Sequence, residues 1–216
     1  MASSARFRLL LILCAVELAG VASIRAESPT NLRVIFDDAR VVGPAMRANA
    51  IKEASRIWGR YDVSLVTEDD ERCAGSDLEA VTVTIDLKHD TESGDAGLGA
   101  IQFASDGAPA SAIVLNFNAV SRIATSAPFM GLHPALWPSG LRDEVVARAL
   151  GRALAHELGH YLLRSPHHAN TGLMRARQKG SALGDPNERP FALSESDRAR
   201  LHLALAKPPQ SVCPVR

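Results

Sequence analysis

Two histidines four residues apart, with a glutamate directly after the first, constrain this chain more than any other feature: His156-Glu157-Leu158-Gly159-His160. On an α-helix, residues i and i+4 lie on one face about a turn apart. Both imidazoles can therefore reach a common point if the segment is helical. Two neutral imidazoles at that spacing suit a divalent metal ion, and Glu157 beside them is positioned to take a proton from water at the ion. The surroundings agree with a helix from Leu141 to Leu163. Val145, Val146, Ala149, Leu150, Ala153 and Leu154 give it a broad apolar stripe. Ser165-Pro166 ends it, because the residue before a proline disfavours helix.

A helix of that kind needs a core to lie on. The chain has 216 residues, enough for one domain with a real interior. Hydrophobic residues make up 46% and charged residues 22%, and 24 basic side chains balance 24 acidic ones. No basic patch or arginine-rich run stands out, which argues against a nucleic-acid partner. Residues 1–26 read as an export signal. Arg6 and Arg8 precede a short apolar run from Leu9 to Val16, and the small residues Ala19, Gly20, Ala22 and Ser23 follow. The run is too short to anchor in a bilayer. The expected mature unit is residues 27–216, a single domain, periplasmic or extracellular, monomeric and without membrane association. In that compartment Cys73 and Cys213 could form a disulfide, since Cys14 leaves with the signal.

The pattern along the mature chain predicts β-α-β-β-β-β before the histidine helix. Asn31–Phe36 and Val81–Leu87 alternate apolar and polar residues as strands do, Val63–Val66 and Ser111–Val120 (apolar at Ile113, Leu115 and Phe117) read as strands too, and 99–103 reads as a further short strand. Pro44 to Tyr61 reads as a helix, with Pro44 in its first turn and Met46, Ala50, Ile51, Ala54, Ile57 and Trp58 at helical spacing. The loop 126–140 carries Phe129, Leu132 and Trp137. It could line a cleft, but Trp137 is expected to pack on the core. Ser194 and Asp197 form an approximate capping box for a last helix to Leu205, with Leu201, Leu203 and Leu205 as its apolar side.

A catalytic zinc usually takes three protein ligands and keeps one position open. The third must come from close by, where His167 and His168 precede Gly172-Leu173-Met174. With those residues in view, the chain resembles the metzincin clan of zinc endopeptidases. In that clan a third histidine follows six residues after the second, on a chain that turns at a glycine, and a methionine turn runs beneath the metal. Met174 lies 18 residues after His156, a spacing similar to that of matrix metalloproteinase catalytic domains. Two departures set the chain apart and make it look like a divergent bacterial group. Leu163 stands where the turn glycine is expected and Pro166 where the third histidine is expected. Either His167 or His168 can reach the ion. The unit His168-x-x-x-Gly172-Leu173-Met174-Arg175 favours His168.

The resemblance implies an α+β, zincin-like fold: a twisted mixed sheet of about five strands, a backing helix, the histidine helix and a C-terminal helix. It implies a zinc endopeptidase acting on peptides or proteins, with Zn²⁺ on His156, His160 and His168 and Glu157 as general base. An edge strand within 97–103 would hold an extended substrate. Hydrolysis of a non-peptide or cell-wall amide, or a non-catalytic zinc-stabilised binding module, are the competing expectations. Met174 is expected to pack beneath the metal. Arg175 either stabilises an oxyanion or, the favoured reading, pairs with a surface acid. His89, His133 and His202 are isolated and expected to take no part.

Overall fold

The structure, a computed structural model, describes residues 29–37, 41–70, 78–87, 97–187 and 189–206. The expected export signal, Cys73, Cys213 and His89 lie outside the described residues.

Five strands form one mixed sheet: β1 (Thr30–Asp37), β2 (Val63–Thr67), β3 (Ala80–Asp86), β4 (Gly99–Phe103) and β5 (Pro109–Asn116). Their order is β2-β1-β3-β5-β4. The first three and β5 run parallel, while β4 runs antiparallel to β5 at one edge. Leu32, Val34, Val81, Val83, Ile85, Ile113 and Leu115 are buried and their strand neighbours are less so. Parallel strands covered on both faces read as continuous apolar runs. The period-two pattern here marks a sheet with one well-covered face.

The cover consists of α1 (Pro44–Trp58) and α3 (Ser139–Leu163), which pack on each other and on the sheet. The two helices approach closely where Gly151 faces Ala50: a Cβ on Gly151 would come within 2.4 Å of the Ala50 carbonyl oxygen. Leu150, Leu154 and Leu158 of α3 are fully buried, each contributing about 1.5–3 kcal/mol by leaving water. Trp58 is also fully buried, and its indole N–H donates to the Ala155 carbonyl at 3.1 Å. Arg152 is sequestered in the same interface. It donates to Glu53 at 2.7 Å and to the carbonyls of Leu183 and Asn187, and its guanidinium carbon lies 4.4 Å from the Phe191 ring centre. Breaking a buried pair by removing one partner costs about 3–5 kcal/mol, so this contact fixes α3 against α1 and against residues 182–187.

The expected strand over 111–120 is too long. It ends at Asn116, and α2 (Phe117–Ala124) follows. The Asn116 side chain accepts from the Ala119 N–H at 3.0 Å, capping the new helix. So short an apolar run fits either period, and the cap decides. The histidine helix begins at Ser139, two residues before the expected start. A short α4 (Gly180–Gly184) precedes α5 (Glu195–Leu205). Ser194 caps α5 by accepting from the Asp197 N–H at 3.2 Å. The expected capping box is not completed, because the Asp197 carboxylate accepts from the Ser194 hydroxyl instead, at 2.6 Å. Leu201 is buried, but Leu203 is 77% exposed, since residues two apart do not share a helix face.

Candidate metal centre

The second half of α3 carries His156, Glu157 and His160. The helix stops at Arg164, which takes a left-handed conformation with φ 48°. Its N–H and that of Ser165 fold back onto the carbonyls of Tyr161 and His160. The chain then runs under the helix end. Ala169 N–H donates to the Met174 carbonyl at 2.7 Å, and Gly172, at φ 78°, turns the segment. Only glycine fits there: a Cβ would lie 2.2 Å from the Ala192 carbonyl oxygen. The left-handed residue that ends the helix is Arg164 rather than Leu163, and the histidine brought beside the helix pair is His168.

The trailing segment also orients the helix histidines. His156 Nδ1 lies 2.7 Å from the Leu173 carbonyl, and His160 Nδ1 lies 2.7 Å from the Ser165 carbonyl. A carbonyl can only accept, so each Nδ1 carries the proton and each Nε2 is left with its lone pair. Those two Nε2 atoms face each other at 3.2 Å. Burial pulls the pKa of His156 down to about 4, against the opposing pull of the Leu173 carbonyl, and burial lowers His160 as well. Both rings are therefore neutral at ordinary pH. Two neutral lone pairs at that distance repel unless a cation lies between them. The His168 ring stacks against His156, with centroids 5.2 Å apart, and stands edge-on to His160 at 4.8 Å. Ligand atoms of all three lie within 4.8 Å of one another. Nitrogens on a tetrahedral zinc, at roughly 2.0–2.1 Å each, sit about 3.3 Å apart. The donor set fits such an ion. His167 is exposed and outside this group, its N–H donating to the Ser165 hydroxyl at 3.3 Å.

Glu157 projects into a cleft of about 200 Å³ that His156 and His168 also line, bounded by Leu98 and Gly99 on one side and Leu173 and Phe191 on another. The carboxyl is 5% exposed, and burial pushes its pKa up to about 7. A cation at the histidines would counter that push. Gly99 makes room for it: a Cβ there would meet Glu157 Cγ at 2.8 Å and Oε1 at 3.0 Å. Beneath the helix, buried Met174 fills the space that a Cβ on Gly159 would need, with the sulfur 2.3 Å from that position. Phe103 of β4 stands edge-on to His160 with centroids 6.5 Å apart.

The remaining candidates fall elsewhere. Trp137 is buried and bonded to the Leu132 carbonyl at 2.9 Å, and its loop does not line the cleft. His133 accepts from the Ala135 N–H and His202 is exposed on α5. Arg175 lines the cleft, and no carboxylate among the described residues pairs with it. A larger groove of about 720 Å³, lined by Lys52, Arg56, Asp143 and Glu144, contains none of the histidines. Two parts of the site carry no residue-type signal at all: the Leu173 and Ser165 carbonyls. Gly99 was detectable only as one of a closely spaced glycine pair with Gly97.

Neither a protein-family model nor a curated protein matches the chain. Among solved structures it is similar to the crystal structure of the archaemetzincin of Methanopyrus kandleri, at a TM-score of 0.50 and 12% identity, over 85% of this chain and 99% of that one. At such identity the likeness is one of fold, and it shows that this chain has the mixed α+β architecture of an archaemetzincin, with its three histidines able to hold a metal ion.

Proposed function

We propose that this protein is an exported zinc-dependent endopeptidase. The observation that carries the reading is the pair of neutral Nε2 lone pairs facing at 3.2 Å, with a third imidazole beside them and a buried carboxyl next in sequence. His156, His160 and His168 would hold the ion. Bound there, zinc would supply Lewis acidity, polarising a carbonyl and lowering the pKa of a water towards roughly 7.

The chain's own residues do the rest. Glu157 accepts the proton of the attacking water and returns it to the leaving amine. The outer edge of β4 is unpaired among the described residues and runs beside Glu157, so an extended peptide can add to it by backbone hydrogen bonds. The Leu173 and Ser165 carbonyls hold both helix imidazoles in the tautomer that faces the ion.

The test is a mixed peptide library digested by zinc-loaded protein and read by mass spectrometry. Internal cuts by the wild type that fall at least about 100-fold in Glu157→Ala, with zinc content unchanged, are the expected result. No cuts, with zinc bound in both proteins, would transfer the case to a non-peptide amide or a binding role. Gly99→Ala should retain zinc but lose about tenfold in kcat with little change in KM, because the displaced carboxyl is misaligned by a fraction of an ångström. An unchanged kcat would mean that the added methyl is accommodated without moving the Glu157 carboxyl.

A further inference from the structure

Among the described residues that line the cleft, basic side chains outnumber acidic ones: Arg152 and Arg175 against Glu157. The guanidinium of Arg152 is already neutralised by Glu53 and saturated by backbone carbonyls. That leaves Arg175, exposed at the cleft wall with no ion pair among the described residues. Its backbone is fixed on both sides, by the bridge to Ala169 and by the N–H bond to the Gly172 carbonyl at 3.3 Å. The Arg175 backbone is thus held in place, and no described carboxylate pairs with its side chain. A divalent ion on three neutral histidines would add to the same sign. Opposite them, among the described residues of the cleft wall, stands a single carboxyl, Glu157.

Size narrows the ligand further. A volume of about 200 Å³ lies below the roughly 300–1,000 Å³ of small-molecule sites and suits one substrate side chain or one chain end. The inner wall is apolar, with Leu173, Leu183 and Phe191. A planar guanidinium at the edge of such a space matches the two oxygens of a carboxylate.

We propose that Arg175 is a specificity-determining residue that binds a substrate carboxylate next to the scissile bond. This rests on the peptidase reading of the same site. The carboxylate is either an acidic side chain or the free C-terminus of the substrate, and the two make different enzymes.

The experiment uses one internally quenched peptide in matched versions, with Glu, Gln or Leu at the positions flanking the cut, and with a free or amidated C-terminus placed near it. Rates are measured for zinc-loaded wild type, Arg175→Met and Arg175→Lys. Affinities for the same peptides are measured by fluorescence anisotropy on zinc-loaded Glu157→Gln, with and without Arg175→Met. The expected result is a preference for one carboxylate source of about 10- to 100-fold in kcat/KM, lost in Arg175→Met and partly kept in Arg175→Lys. The binding series should lose the same discrimination. A preference for Glu over Gln marks an acidic side chain, and a preference for free acid over amide marks a chain end. Glu157-dependent cutting with no preference for either, or a preference that survives Arg175→Met, overturns the proposal and leaves the peptidase reading intact. If no peptide is cut, discrimination in the anisotropy series still supports the carboxylate site while the peptidase reading fails, and its absence removes both.

Discussion

The two loops that flank α3 make an instructive pair. The leading loop, 126–138, is rich in apolar and aromatic residues, and the trailing loop, 164–175, is mostly polar and small. Each contains a non-glycine residue at positive φ, Met130 at 49° and Arg164 at 48°, and each contains a glycine at 78°, Gly131 and Gly172. Their surroundings differ. Phe129 and Leu132 close a two-residue turn on each other, and Met130 at its tip is 88% exposed. Gly131 meets nothing within 4 Å of a would-be Cβ, whereas Gly172 meets the Ala192 carbonyl at 2.2 Å. The trailing loop brings His168, two orienting carbonyls and Met174 to one point. The leading loop secures its own base through Trp137 and brings nothing to the site. Conspicuous side chains mark the loop that only packs, and backbone geometry marks the one that builds the centre.

The sharpest way to break that contrast is to remove the loop's imidazole. With zinc about 1,000-fold above its Kd, the wild type should gain about 4 kcal/mol of stability. His168→Ala should lose most of that gain and His167→Ala almost none, read as the zinc-dependent shift in thermal unfolding together with bound-zinc content. A larger loss in His167→Ala would reassign the ligand. Next come the two glycines. Gly172→Ala should destabilise the protein by about 3 kcal/mol, combining a positive φ with a backbone clash. Gly131→Ala, at the same φ in open space, should cost only about 1 kcal/mol. Equal midpoint shifts in urea would show that the surroundings do not matter. Smallest is the relief of strain: Met130→Gly and Arg164→Gly should each stabilise by up to about 1 kcal/mol, the left-handed penalty less the extra entropy of glycine in the unfolded chain. Destabilisation at Arg164 alone would mean that its side chain, not its backbone, matters to the turn.

Much of this was legible because it depended on side-chain type at fixed spacing. His156, Glu157 and His160 declare a helix and its chemistry together. Val81, Val83 and Ile85 declare a half-covered strand. What stayed hidden depended on the backbone. An arginine in the left-handed region has no sequence signature, so the turn at Arg164 could not choose between His167 and His168. The run from Phe117 to Val120 is too short for its period to separate strand from helix, and the one local signal for helix is Asn116 before it, a helix-start residue whose side chain caps α2. The Arg152–Glu53 contact joins residues 99 positions apart, and no local pattern reports such a pair.

The fit of Met174 against Gly159 has a consequence for how this sequence can change over generations. The sulfur lies 2.3 Å from where a Cβ on Gly159 would be built, inside an interior packed without slack. The atoms in the way, the sulfur and the terminal methyl, are the flexible end of the methionine, so an added methyl at 159 is admitted when that end swings aside. The two positions are coupled all the same: a side chain gained at 159 shifts the floor beneath the imidazoles, and a shortened 174 leaves a void there. A change in the helix is thus felt in the loop, and the reverse.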